Sequence, residues 1–187
     1  MILSALPKKT RGWADQKFNK NGAGLYHSHH YGFGILDATK FVAAATKWTK
    51  IDKPFRVYET KNLADDDVST DEITKSVVIA DVGGMKIIEQ VIIEVTLETP
   101  GKRGDVEISF YCPESSLESK LATRRKFDES DEGFKNWKFS TVRCFGENVG
   151  GEYKIEMRTK SMQEIKLKYL KLKSFAKLRP RRIMLQV

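Results

Sequence analysis

From Ser76 to Met157, short apolar and β-branched runs are cut apart at close intervals by turn formers. Ser76–Ile79, Glu89–Glu98, Asp105–Tyr111, Phe139–Phe145 and Tyr153–Met157 carry the pattern. Asp81–Gly84, Pro100–Gly104, Glu129–Gly133 and Glu147–Gly151 interrupt it. Successive side chains of a strand point to opposite faces, so a period of two marks half-buried strands. Short strands at this spacing predict an antiparallel sandwich, mostly β in class. Glu164–Lys173 (EIKLKYLKLK) extends the series as a final strand. Ile165 and Leu167 share one phase and Leu170 and Leu172 the other, with a slip at Tyr169.

Ahead of this region the chain reads differently. Ile2–Leu6 is expected to be the last turn of a helix that Pro7 ends. Asn19–Gly24 is dense in turn formers. Tyr31, Gly32, Phe33 and Gly34 open the run YGFGILDA, which feeds a predicted helix at Asp37–Trp48. Asp37 is its N-cap, and Phe41, Ala44, Ala45 and Trp48 form one apolar face. Alanines allow close approach, so this helix is expected to press onto a larger body that the first 50 residues do not themselves provide. Lys53–Glu72, opened by Pro54, reads as a linker.

At 187 residues, 40% of them apolar, the chain fits one domain or one domain with an appendage. No apolar run approaches the length of a membrane-spanning helix. MILSALPKKT is too short an apolar patch to read as a secretory signal. The net charge of +8 is uneven: Lys154–Val187 carries 11 Lys/Arg against 2 Asp/Glu, and the preceding 153 residues carry 22 against 23. The basic stretch Lys166–Arg182, with Tyr169 and Phe175 interleaved, has two readings. It is a polyanion-binding surface, or, as favoured here, the charged outer face of an edge strand.

Groups that carry chemistry are sparse. His27, His29 and His30 lie together without acidic or cysteine partners nearby and read as loop histidines, not metal ligands. Asp65, Asp66 and Asp67 lack the spaced ligands of a calcium loop and read as a solvated run. No serine stands in a nucleophile motif, and no phosphate loop or zinc signature is present. Arg103-Gly104-Asp105 is an RGD in a turn. Either it is an adhesion tripeptide at an exposed tip or, as favoured here, Gly104 makes the turn while Arg103 and Asp105 pair with neighbours. Cys112 and Cys144 are either one disulfide or two buried thiols.

Taken together, these pieces resemble the kexin- and furin-like proprotein convertases, across the join between a subtilisin-like protease domain and the P (Homo B) domain. NGAGL at Asn21–Leu25 and HHYGFGILDA at His29–Ala38 resemble the end of the catalytic domain, and Trp48-Thr49 resembles the handover. IEQVIIEVTLETPGKRGDVEISF (Ile88–Phe110) resembles the strand, RGD turn and strand of the P domain. Gly133–Met157 resembles its later stretch, through Gly133, Phe134, Trp137, Gly146 and Glu147. The pieces lean toward the neuroendocrine type. The linker lacks the cysteines common early in the family's P domain, and the basic tail replaces its usual short finish.

The resemblance implies a jelly-roll-like P-domain sandwich at 51–175, preceded by a catalytic-domain remnant at 1–50 and followed by a basic tail at 176–187. Tyr31, Gly32, Phe33, Gly34, Asp37 and Trp48 would form the seam between the first two. It implies a calcium-dependent serine endopeptidase of the secretory pathway that cuts precursors at paired basic residues. In the subtilisin order the catalytic Asp, His and Ser would all precede Met1. This chain would therefore hold no catalytic residue, metal or cofactor of its own, and calcium would belong to the full-length enzyme. Its partner would be the catalytic domain in cis, with precursor proteins as substrates of the whole and no nucleic acid. A secreted adhesion or polyanion-binding sandwich is the alternative.

Overall fold

The computed structural model describes residues 4–5, 18–48, 56–80 and 87–177. Two ribbons come first. β1 (Ser4–Ala5) pairs with β4 (Ile35–Leu36), and β2 (Asn19–Lys20) with β3 (Tyr26–His27). Ser4–Ala5 is thus a strand, where the residues before Pro7 predict a helical turn. The helix α1 spans Ala38–Ala45, and the Asp37 carboxylate caps it by accepting from the Lys40 N–H. The chain continues as turns to Trp48, so the helix proper ends three residues earlier than its apolar spacing suggests.

The rest is a sandwich of antiparallel sheets. The larger sheet holds β5 (Arg56–Glu59), β6 (Asp67–Ser69), β8 (Ile87–Glu98), β11 (Phe134–Thr141) and β13 (Ile165–Lys177). Its order is β11-β8-β13-β5, and β6 pairs with another part of β13. The smaller sheet holds β7 (Glu72–Ile79), β9 (Val106–Tyr111), β10 (Glu118–Ala122) and β12 (Gly151–Thr159), in the order β10-β9-β12-β7. Between them lies one core. Val91, Ile93, Val95 and Leu97 of β8 alternate inward, as do Val106, Ile108 and Phe110 of β9 and Tyr153, Ile155 and Met157 of β12. Fully burying one such side chain contributes about 1.5–3 kcal/mol.

In β13 the inward set changes from Ile165 and Leu167 to Leu170, Leu172, Ser174 and Ala176. The pairing with β8 shifts register between Leu167 and Tyr169, so one extra residue swaps the faces and keeps the leucines inside. This is the slip at Tyr169 in physical form.

The expected linker Lys53–Glu72 is incorrect in part, because it contains β5, β6 and the first residue of β7. Both short strands, RVYE and DVS, add to β13, and their pairing follows from an available ladder and not from an apolar period of their own. β10 is also absent from the sequence reading. β11 runs Phe134–Thr141 instead of Phe139–Phe145, since a turn that carries Cys144 begins at Val142. β7 starts at Glu72, four residues earlier than expected, and β13 runs on to Lys177. Arg179, Arg181 and Arg182 of the basic tail, and Thr49 of the handover, lie outside the described residues.

Candidate functional site

The N-terminal segment meets the sandwich along a polar seam built on the turn between β11 and β12. There the chain turns through Cys144 and Gly146, with the Phe145 and Glu147 N–H groups donating to the Val142 and Cys144 carbonyls. Cys112, just past β9, is disulfide-bonded to Cys144, with their Cα atoms 5.4 Å apart. The bond ties the end of a smaller-sheet strand to the turn leaving the larger sheet.

That turn places Glu147 under the segment, fully buried. Its Oε1 accepts the Gly22 N–H at 3.0 Å and the Ser115 hydroxyl at 2.5 Å; Oε2 accepts the N–H groups of Glu114 at 3.2 Å and Ser115 at 3.4 Å. Asn21, also buried, complements it. Its amide donates to the carbonyls of Arg143 and Phe145 at 3.1 and 3.0 Å, and its Oδ1 accepts from the Leu25 N–H. A Cβ on Gly22 would come within 2.8 Å of the Glu114 side chain, which would have to shift to admit any larger residue.

Two histidines close the seam. Arg143, 2% exposed, donates from Nη1 to His27 Nδ1 at 2.6 Å. Burial, the Arg143 charge and neighbouring His29 push His27 down to about 4. The Lys120 N–H of edge strand β10 donates to His29 Nε2 at 3.1 Å. Burial, then Arg143 and Lys120, also lowers His29, with Glu118 opposing. Phe33 stands edge-on to His27 at 4.8 Å between ring centres, and 6.2 Å from Phe145. Of the seam residues read from the sequence, Phe33 makes this packing contact. Tyr31 stacks with Phe18, and Asp37 is spent on its helix cap. Trp48 is 48% exposed.

The RGD tripeptide is built into a different turn. Gly104 is buried, and a Cβ there would meet the Arg125 carbonyl at 2.1 Å. Arg103 forks onto Asp128, which Arg125 also holds, and Asp105 pairs with Arg124. Arg103 also lies over the Trp137 ring at 5.1 Å, and Trp137 packs edge-on to buried Phe134. Gly133 has φ +62°, and a Cβ would sit 2.1 Å from the Leu97 carbonyl. Arg103, Gly133, Phe134 and Trp137 thus form one structural cluster. The tripeptide is not offered at a tip, which removes the support for the adhesion alternative.

Three of the alternating lysines of β13 are also engaged. Lys168 pairs with Asp66, Lys171 with Glu59, and Lys173 with Glu94 and Glu59. Asp65 and Asp67 hold Lys75. Among the described residues, Cys112, Cys144 and Glu147 are the one group of metal-type ligands within mutual reach. Both sulfurs are in the disulfide and the carboxylate is filled with N–H and O–H donors, so the group does not fit calcium. No helix among the described residues is long and apolar enough to cross a membrane.

The fold and this seam define a disulfide-linked antiparallel β-sandwich module with an N-terminal segment stitched to it. Residues 88–174 match the Proprotein convertase P-domain, and the chain belongs to that family through this domain. It is 32% identical over 146 residues to proprotein convertase subtilisin/kexin type 7 of Homo sapiens, covering 74% of this chain and 18% of that protein. To the type 5 protein of Branchiostoma californiense it is 35% identical, covering 86% and 10%. To the type 6 protein of Rattus norvegicus it is 33% identical, covering 74% and 15%. These relatives do not carry the leaning toward the neuroendocrine type; the likeness is to the convertases at large. The chain spans less than a fifth of their length. In fold it is similar to a serine protease of Aeromonas sobria, with TM-score 0.64 at 16% identity, covering 86% of this chain and 33% of that one.

Proposed function

We propose that this chain supplies the P-domain of a calcium-dependent proprotein convertase and stabilises the catalytic domain joined to it in cis. The observation that supports this most is the contrast across the seam. Residues 21–27 are fastened to the sandwich by buried polar contacts, while α1 buries no residue. Phe41 and Val42 on that helix, and Leu36 before it, are 49%, 61% and 58% exposed. An amphipathic helix gains most of its stability from covering its apolar face, and a docked catalytic domain would cover this one. The whole protein would be a serine endopeptidase cleaving secretory precursors at paired basic residues, with the catalytic groups supplied by the docked domain. The disulfide fits an oxidising secretory compartment.

The test is a fusion of the chain behind a convertase catalytic domain, compared with that domain alone. A higher melting temperature and recovered peptidase activity are expected in the fusion. If the catalytic domain gains neither, the proposal fails.

A further inference from the structure

Arg143 is a buried guanidinium, and no carboxylate among the described residues is in contact with it. Its Nη1 donates to a neutral imidazole, and its Nε–H is buried with no acceptor among the described residues. The negative group that influences it is Glu118, whose Oε1 instead accepts the Ser109 hydroxyl at 2.7 Å; no ion pair joins Glu118 to Arg143 among the described residues. Buried charges are ordinarily paired, because desolvation without a counter-charge is costly.

The two histidines add donors to the same place. His27 accepts at Nδ1, so as a neutral ring it carries its proton on Nε2. His29 accepts at Nε2, so its proton is on Nδ1. Each ring leaves a donor on the nitrogen its protein partner does not use. Lys120, exposed beside His29, adds a positive charge, and His30 lowers His29 further. Glu118 alone opposes them. The cluster offers N–H donors and positive potential from a buried floor at Arg143 to an exposed rim at His29.

We propose that Arg143, His27, His29 and Lys120 form an anion-binding site at the seam, and that its ligand is a carboxylate side chain of the catalytic domain docked in cis. The ligand assignment rests on the docking reading above; the site does not. A protein surface brings carboxylates as its anionic groups, and one accepting at the exposed rim of His29 and Lys120 would add a counter-charge above the buried guanidinium.

The site is tested on the chain itself by following the ring nitrogens of His27 and His29 by NMR while sodium acetate replaces sodium chloride at constant ionic strength. Saturable shifts of both rings are expected, together with a rise of the His27 titration midpoint, since a bound anion favours the imidazolium. In the double variant His29→Phe/Lys120→Met, both changes being on the exposed rim, acetate binding is expected to weaken about tenfold. Shifts that grow linearly, or that chloride reproduces, overturn the site. In the cis fusion the same double variant, which also removes the His29 acceptor of the Lys120 N–H, is expected to lower the melting temperature of the catalytic domain by more than it lowers that of the isolated chain. An unaltered fusion overturns the carboxylate as ligand. A wild-type fusion that stabilises nothing sinks the docking reading and the ligand together, and the acetate titration then judges the site alone.

Discussion

The buried carboxylate of Glu147 accepts the backbone N–H of Gly22 at 3.0 Å, joining two residues 125 positions apart in the chain. It also fixes Glu114 and Ser115 in the loop after β9, so one side chain holds three segments in register. Replacing it removes a fully buried acceptor and leaves four part-buried donors to find other partners, which costs more than the hydrogen bonds themselves contribute.

Glu147→Ala is therefore expected to destabilise the chain by about 3 kcal/mol, measured by urea unfolding at neutral pH. Amide exchange at Gly22 and Ser115 should accelerate together. Acceleration at Ser115 without any at Gly22 would show that the N-terminal segment is held by other contacts.

The Cys112–Cys144 bond closes a separation of 32 residues. In the chain-entropy account, a loop of this size restricts the unfolded state by roughly 3–4 kcal/mol. The double variant Cys112→Ser/Cys144→Ser should lose stability on that scale in guanidinium melts. Its seam should also loosen, since Cys144 belongs to the turn that presents Glu147. A variant as stable as the wild type under oxidising conditions would contradict this.

Asp128 is held down to about 2, first by its hydrogen bonds from Arg103, against burial and with help from Arg125. A carboxyl depressed in the folded state contributes stability that is present above its ordinary value near 3.8 and is lost as pH falls toward 2. The contribution is of the order of 1–2 kcal/mol. Asp128→Asn should remove it at neutral pH and flatten the acid limb of the stability profile between roughly pH 4 and pH 2. An unchanged acid limb would show that the RGD turn does not depend on this pair.

His27 titrates in the opposite chemical sense with the same consequence for acid. Its folded value lies at about 4, below the ordinary 6.5, chiefly through burial and then through Arg143. The released segment binds a proton more readily than the seated one. The seam's stabilisation is thus complete above pH 6.5 and weakens as pH falls through that value toward 4. His27→Gln should reduce the pH dependence of stability between 6.5 and 4. If the wild type shows no such dependence, His27 is not seated in the seam in solution.

Gly104→Ala should be among the most damaging single changes, because a methyl group there would lie 2.1 Å from the Arg125 carbonyl. A loss of more than about 3 kcal/mol is expected, read as a lowered unfolding midpoint. A neutral effect would mean the turn carrying Arg103 and Asp105 is free to open.

Much of the sandwich was legible because burial leaves its mark on residue type. β8, β9 and β12 alternate inward-facing apolar residues, and the slip at Tyr169 is visible in β13 before any pairing is known. β5, β6 and β10 were not legible. Arg56–Glu59, Asp67–Ser69 and Glu118–Ala122 are short and largely polar, and they become strands because β13 and β9 offer free ladders. Pairing supplied by a neighbour leaves no period in the paired segment.

The seam divides in the same way. The glycines and turn formers of Asn21–Leu25 and Gly133–Glu147 announce tight, specific backbone. Nothing in them says that Asn21 reaches the carbonyls of Arg143 and Phe145, or that Arg143 lies against His27. By itself, the sequence determined the class of fold, the phase of its core strands and the family likeness, since local periodicity and ordered motifs carry all three. The tertiary structure alone decided the disulfide, the edge strands, the structural use of the RGD and the charge balance at the seam. Each of these depends on which distant groups share a low-dielectric space, and hydrogen bonds and ion pairs across more than a hundred residues have no local signature.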